Sequence, residues 1–130
     1  MRIAAAGLIL FLTACAHVAP VEDAIVSDRL FCGLSIPGGG TVSEQELETF
    51  IDEVVEPRFP QGFTLWRARG RWDGGSEEVM ILEIVRPYDL DLDRRVLEIA
   101  DEYRRRFHQE AVLRVTMPAR MELIAPNLRE

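Results

Sequence analysis

Four side chains in this 130-residue chain are thiols or imidazoles, the groups most often used in nucleophilic and zinc chemistry: Cys15, His17, Cys32 and His108. A zinc site needs three or four thiolate, imidazole or carboxylate donors in one place. A hydrolytic nucleophile needs an adjacent base and a third group that orients that base. Past residue 28 a single cysteine and a single histidine remain, Cys32 and His108, in well-separated segments. No catalytic residue, metal or cofactor is expected from them. Cys32 alternates with Leu30, Leu34 and Ile36, the setting of a small core hydrophobe rather than a redox thiol. His108 falls just past a helical pattern, where a cation complements the helix dipole.

Two further patterns carry weaker signals. Pro37-Gly38-Gly39-Gly40-Thr41 precedes a helix start, a place where backbone N–H groups can converge on an anion. It lacks a P-loop lysine and dinucleotide spacing, and Glu44 and Glu46 already place negative charge there, so it reads as a turn. Arg67, Arg69 and Arg71 share one strand face and, with Arg114, would face an acidic partner; a solvated edge that discourages strand pairing is the plainer reading.

The remaining reactive group is Cys15. It follows Arg2, an apolar run of 12 residues from Ile3 to Ala14, and the small pair Thr13-Ala14. That run is too short for a spanning helix, which needs roughly 20 residues, and it has the length of a secretory leader. Leu12-Thr13-Ala14-Cys15 resembles the lipobox of bacterial lipoproteins. The resemblance implies a leader over residues 1–14, acyl chains on Cys15, and a mature chain held on the periplasmic side of the cell envelope. Ala16, where Asp would retain the protein on the inner membrane, tips the expectation toward the outer membrane.

Removal of the leader leaves 116 residues, the size of one domain with a tether. All 15 basic residues are Arg, against 22 Asp plus Glu, for a net charge of −7. An acidic chain of this kind disfavours nucleic acid and is repelled by anionic lipid surfaces. If Cys15 is acylated, Cys32 has no intramolecular partner and no structural disulfide forms. The segment 15–28, with Pro20 and His17, reads as the lipidated cysteine and a tether. Its 13 residues after Cys15 reach at most about 43 to 47 Å.

The elements that hold these residues follow from periodicity. Leu30 to Ile36 alternates as a strand and stops at Pro37-Gly38-Gly39-Gly40. Ser43 with Glu46 forms a capping box, Val42 and Leu47 take the staple positions, and Leu47, Phe50, Ile51, Val54 and Val55 recur at helical spacing up to Pro57. Phe63–Trp72 and Glu77–Val85 flank Asp73-Gly74-Gly75-Ser76 as a hairpin. With Gly74-Gly75 as its loop, Trp66 would face Glu83 and Trp72 would face Glu77. Asp91 to Phe107 carries Val96, Ile99, Ala100, Tyr103 and Phe107 on one stripe of a second helix. Ala111 to Met117 reads as the last strand, interrupted by Pro118, and residues 125–130 as a tail.

The order βαββαβ with right-handed crossovers gives an α+β fold, a ferredoxin-like sandwich with a four-stranded antiparallel sheet and two helices on one face, over residues 29–124. Leu34, Cys32, Leu82, Met80 and Ile84 face the helices. The opposite face would carry Phe31, Gly33, Ser35, Trp66, Ala68, Trp72, Val79 and Ile81, too apolar for open water. The carboxyl-terminal segment, a second copy or a ligand would cover it. Phe31, Ser35, Trp66, Trp72 and Glu83 are the candidate binding or dimer-face residues, with Glu83 placed to orient a polar ligand group.

The sequence also resembles the bacterial family known as domain of unknown function 3574, a set of secreted or lipoprotein-like proteins. The resemblance rests on Leu30-Phe31-Cys32-Gly33-Leu34-Ser35 with Pro37 to Ser43, on Asp52-Glu53-Val54-Val55 with Pro57-Arg58-Phe59-Pro60, and on Arg106-Phe107, Gln109-Glu110 and Val112 to Val115. Cys32 stands where an aromatic is usual, and the hairpin tip is shorter than usual. The resemblance implies the address and the domain extent, and no catalytic residue. The expected protein is a membrane-tethered envelope lipoprotein that binds a small molecule or envelope protein, or forms a homodimer, through the open sheet face. The alternative is a small enzyme of the dimeric ferredoxin-like barrel type.

Overall fold

The computed structural model describes residues 24–126. The leader 1–14, Cys15, His17, most of the expected tether and residues 127–130 lie outside the described residues. The elements are β1 (Ile25–Gly33), α1 (Glu44–Phe50), continued by a π-helical turn (Ile51–Val55), β2 (Thr64–Trp72), β3 (Gly75–Pro87), α2 (Leu90–Arg106) and β4 (Leu113–Ala119). The sheet order is β2-β3-β1-β4 with every neighbouring pair antiparallel, the ferredoxin-like sandwich that the element order predicts. Among the described residues, no helix is long and apolar enough to cross a membrane.

Local chemistry sets the element ends. Ser43 Oγ accepts from the Glu46 N–H at 3.2 Å, and the Glu46 carboxylate accepts from the Ser43 N–H at 2.8 Å, completing the capping box. Val42 and Leu47 are both buried, as a staple requires. Asp89 caps α2 through its carboxylate, which accepts from the Leu92 N–H. Gly38, Gly39 and Gly40 take φ values of 94°, 127° and 90°, and the loop closes on itself through Ile36 N–H to Gly40 O and Gly39 N–H to Ile36 O. That is a turn, with α1 already capped by Ser43.

β1 begins at Ile25, so residues 25–28 belong to the sheet and not to the tether. Asp28 explains why. It is fully buried, and its carboxylate accepts from Arg86 Nε at 2.7 Å, Arg114 Nε at 2.8 Å and Thr116 Oγ1 at 2.6 Å. Asp93 Oδ1 accepts from Nη2 of both Arg86 and Arg114, and Arg86 Nη1 donates to the Pro87 and Asp89 carbonyls. A charged residue ahead of the apolar run looks like linker in the sequence; here it is the centre of a paired buried network. Arg114 therefore belongs to this network rather than to a surface row with Arg67, Arg69 and Arg71.

The hairpin register also differs from the expectation. Trp72 pairs with Gly75, so the two-residue loop is Asp73-Gly74, at φ values of 47° and 77°. Two consecutive positive-φ residues form the turn whose twist suits a hairpin, and Asp-Gly is a favoured pair for it. Trp66 thus faces Ile81, and Glu83 faces Thr64. The register shift is two residues, so every side chain keeps its predicted face.

One core lies between sheet and helices. Leu30, Cys32, Met80, Leu82 and Ile84 meet Phe50, Val54, Val55, Val96, Ile99, Tyr103 and Phe107, all buried. Phe50 and Tyr103 pack edge to face at 5.2 Å. Cys32 is a free, fully buried thiol, and burial pushes its pKa up to about 12. It is the core hydrophobe its position predicts. Pro118 sits inside β4 rather than ending it; β4 is an edge strand, where one missing N–H is tolerated.

Candidate functional site

The site is built on the sheet face away from the helices. Strand alternation puts Thr64, Trp66, Ala68, Gly70 and Trp72 of β2 on that face. Ser27, Arg29, Phe31 and Gly33 of β1 join them. Ladder pairing aligns Leu113, Phe31, Ile81 and Trp66 in one row across all four strands. Ile81 is buried, Phe31 and Trp66 are half-buried, and Leu113 is exposed. Within the described residues the carboxyl-terminal segment does not cover this face: Leu123 and Ile124 are 82% and 91% exposed.

The candidate residues do not form one cluster. Phe31 and Trp66 share the central row. Trp72 lies six residues further along β2, about 20 Å away at strand rise, and is 78% exposed at the hairpin tip. Ser35 lies beyond the end of β1, exposed, in an isolated bridge to Thr41. The face has two halves.

In the first half, one row past Phe31, Glu83 accepts from Arg29 Nε at 2.9 Å and from Ser27 Oγ at 2.9 Å. The Arg29 bond is the larger cause, and the Ser27 bond the next, holding the Glu83 carboxyl below its usual range against a smaller opposing effect of burial. Arg29 also lies over the Trp66 ring at 5.7 Å. Glu83 is thus engaged within the chain, rather than held ready for a ligand as its position alone suggested. A shallow groove of about 480 Å³ opens beside the pair, edged by Met117, Arg120, Met121 and Glu122.

In the second half, the row past the central one runs Gly33, Val79 and Ala68 across three strands, and the Glu77 and Gln109 side chains cover Gly33. Glu77 pairs with Gly70 across β2–β3, and its Oε1 occupies the space that a β-carbon on Gly33 would need. Gln109 Oε1 lies 2.9 Å from where that β-carbon would sit. Gln109 reaches there because His108, at φ 52°, takes the left-handed position after α2, and the Gln109 N–H returns to Arg104 O at 2.9 Å. The Gln109 amide nitrogen donates to Ser35 O at 2.8 Å and Phe107 O at 3.2 Å, which fixes its oxygen toward Gly33. Beneath, Tyr103 donates its hydroxyl to Gly33 O at 2.7 Å. Burial raises the Tyr103 pKa first, with the charges of Cys32 and Glu77 adding to the rise and that of Arg67 opposing it.

Sequence reasoning passed over Glu77 and Gln109. Their one legible signal was the glycines at alternate positions around a carboxylate predicted to face the same side. His108 is exposed, just past the end of α2. Arg67 and Arg69 pair with Glu44 and Glu78 on the solvated edge. No group of three or more potential metal ligands exists among the described residues.

Fold and site together define a single ferredoxin-like domain with an uncovered, partly apolar sheet face. The family model for proteins of unknown function DUF3574 matches residues 27–123, and the chain belongs to that family. No curated protein matches it. Among solved structures, a phage SAM lyase in its apo state is 21% identical with a TM-score of 0.57, covering 73% of this chain and 81% of the lyase. A phage SAM lyase in complex with S-methyl-5′-thioadenosine is 19% identical with a TM-score of 0.53, covering 78% and 86%. At these identities the likeness is one of fold.

Proposed function

We propose that this protein is a lipid-anchored domain of the bacterial envelope, attached through acyl chains on Cys15, that binds a small molecule on its open sheet face. The observation that carries the reading is the face itself. Phe31, Ile81 and Trp66 form an apolar row that continues into the exposed Leu113, and the described carboxyl-terminal residues do not lie over it. Large apolar patches of this kind mark binding surfaces. The lipobox-like Leu12-Thr13-Ala14-Cys15 supports the anchor, with the outer membrane favoured by Ala16. A net charge of −7 argues against nucleic acid.

Trp66→Ala with Trp72→Ala tests the surface. The double variant keeps the wild-type far-UV circular dichroism, and it loses ligand binding in a small-molecule screen or, if a homodimer uses this face, loses the dimer mass in light scattering. A wild-type monomer that binds nothing in the same screen overturns the reading.

The second reading, a small enzyme of the dimeric barrel type, draws on one observation, the fold shared with phage SAM lyases. Turnover by the purified protein that survives His108→Ala and falls with Glu77→Gln would favour it.

A further inference from the structure

We propose that the groove beside Arg29 on the open sheet face is a subsite for a monocarboxylate carried on an apolar chain, a fatty-acid-like ligand whose carboxylate sits on the Arg29 guanidinium. The proposal rests on the open-face reading and deepens it by naming the ligand chemistry and its place on the face.

Ladder pairing builds the floor. The row past Phe31 runs Glu83, Arg29 and Val115, and the next runs Val85, Ser27 and Met117. The groove of about 480 Å³ opens over Arg29, Glu83 and that second row, with Arg120, Met121 and Glu122 at its rim. Glu83 takes the Arg29 Nε through Oε1, the oxygen that also accepts from Ser27. Neither Nη of Arg29 donates a hydrogen bond among the described residues. Tied at Nε by Glu83 and laid over the Trp66 ring at 5.7 Å, the guanidinium is held in place, and its unused Nη edge offers the parallel N–H pair that matches the two oxygens of a carboxylate. Arg29 is also the more exposed member of the ion pair, 40% against 24% for Glu83, so a ligand reaches the cation more readily than the anion.

The walls agree with an apolar chain. Val85 and Met117 flank Ser27 in one row, Val85 is partly open to solvent, and Met121 stands exposed at the rim. Each ligand methylene buried against them tightens binding by a few-fold. Charge at the groove sums to zero, Arg29 and Arg120 against Glu83 and Glu122, so the acidity of the whole chain is not concentrated where the carboxylate sits.

The probe is octanoate, with 1-octanol and octylammonium as neutral and cationic controls of equal length, titrated into the purified full-length protein carrying Trp72→Phe so that Trp66, the ring beside Arg29, alone reports by fluorescence. Octanoate changes the emission saturably and binds at least about 10-fold more tightly than either control. Arg29→Gln weakens octanoate about 10- to 100-fold, the effect of losing a charged hydrogen-bond donor. Val85→Glu, at a position already open to solvent, adds a carboxylate to the groove and abolishes binding with Arg29 still present; thermal melts confirm that both variants fold. Octanol that binds as well as octanoate, octylammonium that binds better, or octanoate binding that Arg29→Gln leaves unchanged overturns the proposal. If it is overturned while Trp66→Ala with Trp72→Ala still changes association or ligand binding, the open face stands and the carboxylate subsite alone falls.

Discussion

The residue that most constrains this fold is Asp28, a charge with no exposure at all. Removing one member of a buried ionic network strands the others. Asp28→Ala leaves Arg86, itself 3% exposed, with the Asp93 carboxylate and the Pro87 and Asp89 carbonyls, so the loss should fall at the lower end of the range for such breaks, about 3 kcal/mol by urea denaturation. A loss within about 0.5 kcal/mol would mean that the network contributes nothing. Cys32 and Tyr103 give a second, pH-dependent signature. Both keep their protons in the native state past the pH at which the unfolded chain releases them, Cys32 to about 12 against an ordinary 9.0. A raised acid pKa contributes stability that is complete below the unfolded value and lost as pH climbs toward the folded one. Unfolding free energy should therefore fall above pH 9, with the Cys32 part on the order of 2 kcal/mol near pH 10.5. Cys32→Ala should flatten the slope between pH 9 and 10.5, and an unchanged slope would assign the loss to other groups.

Among the elements, the β2–β3 hairpin sets which residues meet on the open face. Gly74 at φ 77° holds the second position of its loop, and a β-carbon there costs about 1 to 2 kcal/mol in the left-handed region. Gly74→Ala should lower stability by that amount, while Gly75→Ala, whose φ is not positive, should cost less; urea midpoints of the two variants decide between an Asp-Gly and a Gly-Gly loop. Periodicity was enough to read both helices and the faces of Leu30 to Gly33 and of the hairpin strands, and right-handed crossovers gave the strand order, because alternation and a 3.6-residue period are properties of the local pattern. Register was not readable to the residue: Asp73-Gly74 and Gly74-Gly75 are both good turn pairs, and choosing between them depends on packing across the sheet. Asp28, Glu77 and Gln109 escaped for a related reason. Their roles come from partners 58, 44 and 74 positions away in sequence, Arg86, Gly33 and Ser35, and no local pattern marks such pairs.

For the molecule as a whole, the start of β1 bears on where the domain can work. With Ile25 already in the sheet, a tether after an acylated Cys15 would be at most Ala16 to Ala24, nine residues rather than thirteen. Fully extended, nine residues reach at most about 30 to 32 Å, so the proposed acylation of Cys15 would keep the first strand within that distance of the bilayer surface. The open face would then meet only ligands or partners that approach the membrane. The dependence on Cys15 is testable in cells. Cys15→Ala should abolish incorporation of radiolabelled palmitate, leave the precursor with its leader uncleaved at this site, and remove the mature protein from the membrane fraction. A single acyl chain holds a protein only marginally, whereas several make release negligible, so wild-type protein should stay with membranes through a high-salt wash that strips electrostatically bound proteins. Normal processing of Cys15→Ala, with the mature domain recovered in the soluble periplasmic fraction, would make this an ordinarily secreted protein and free the open face to act anywhere in that compartment.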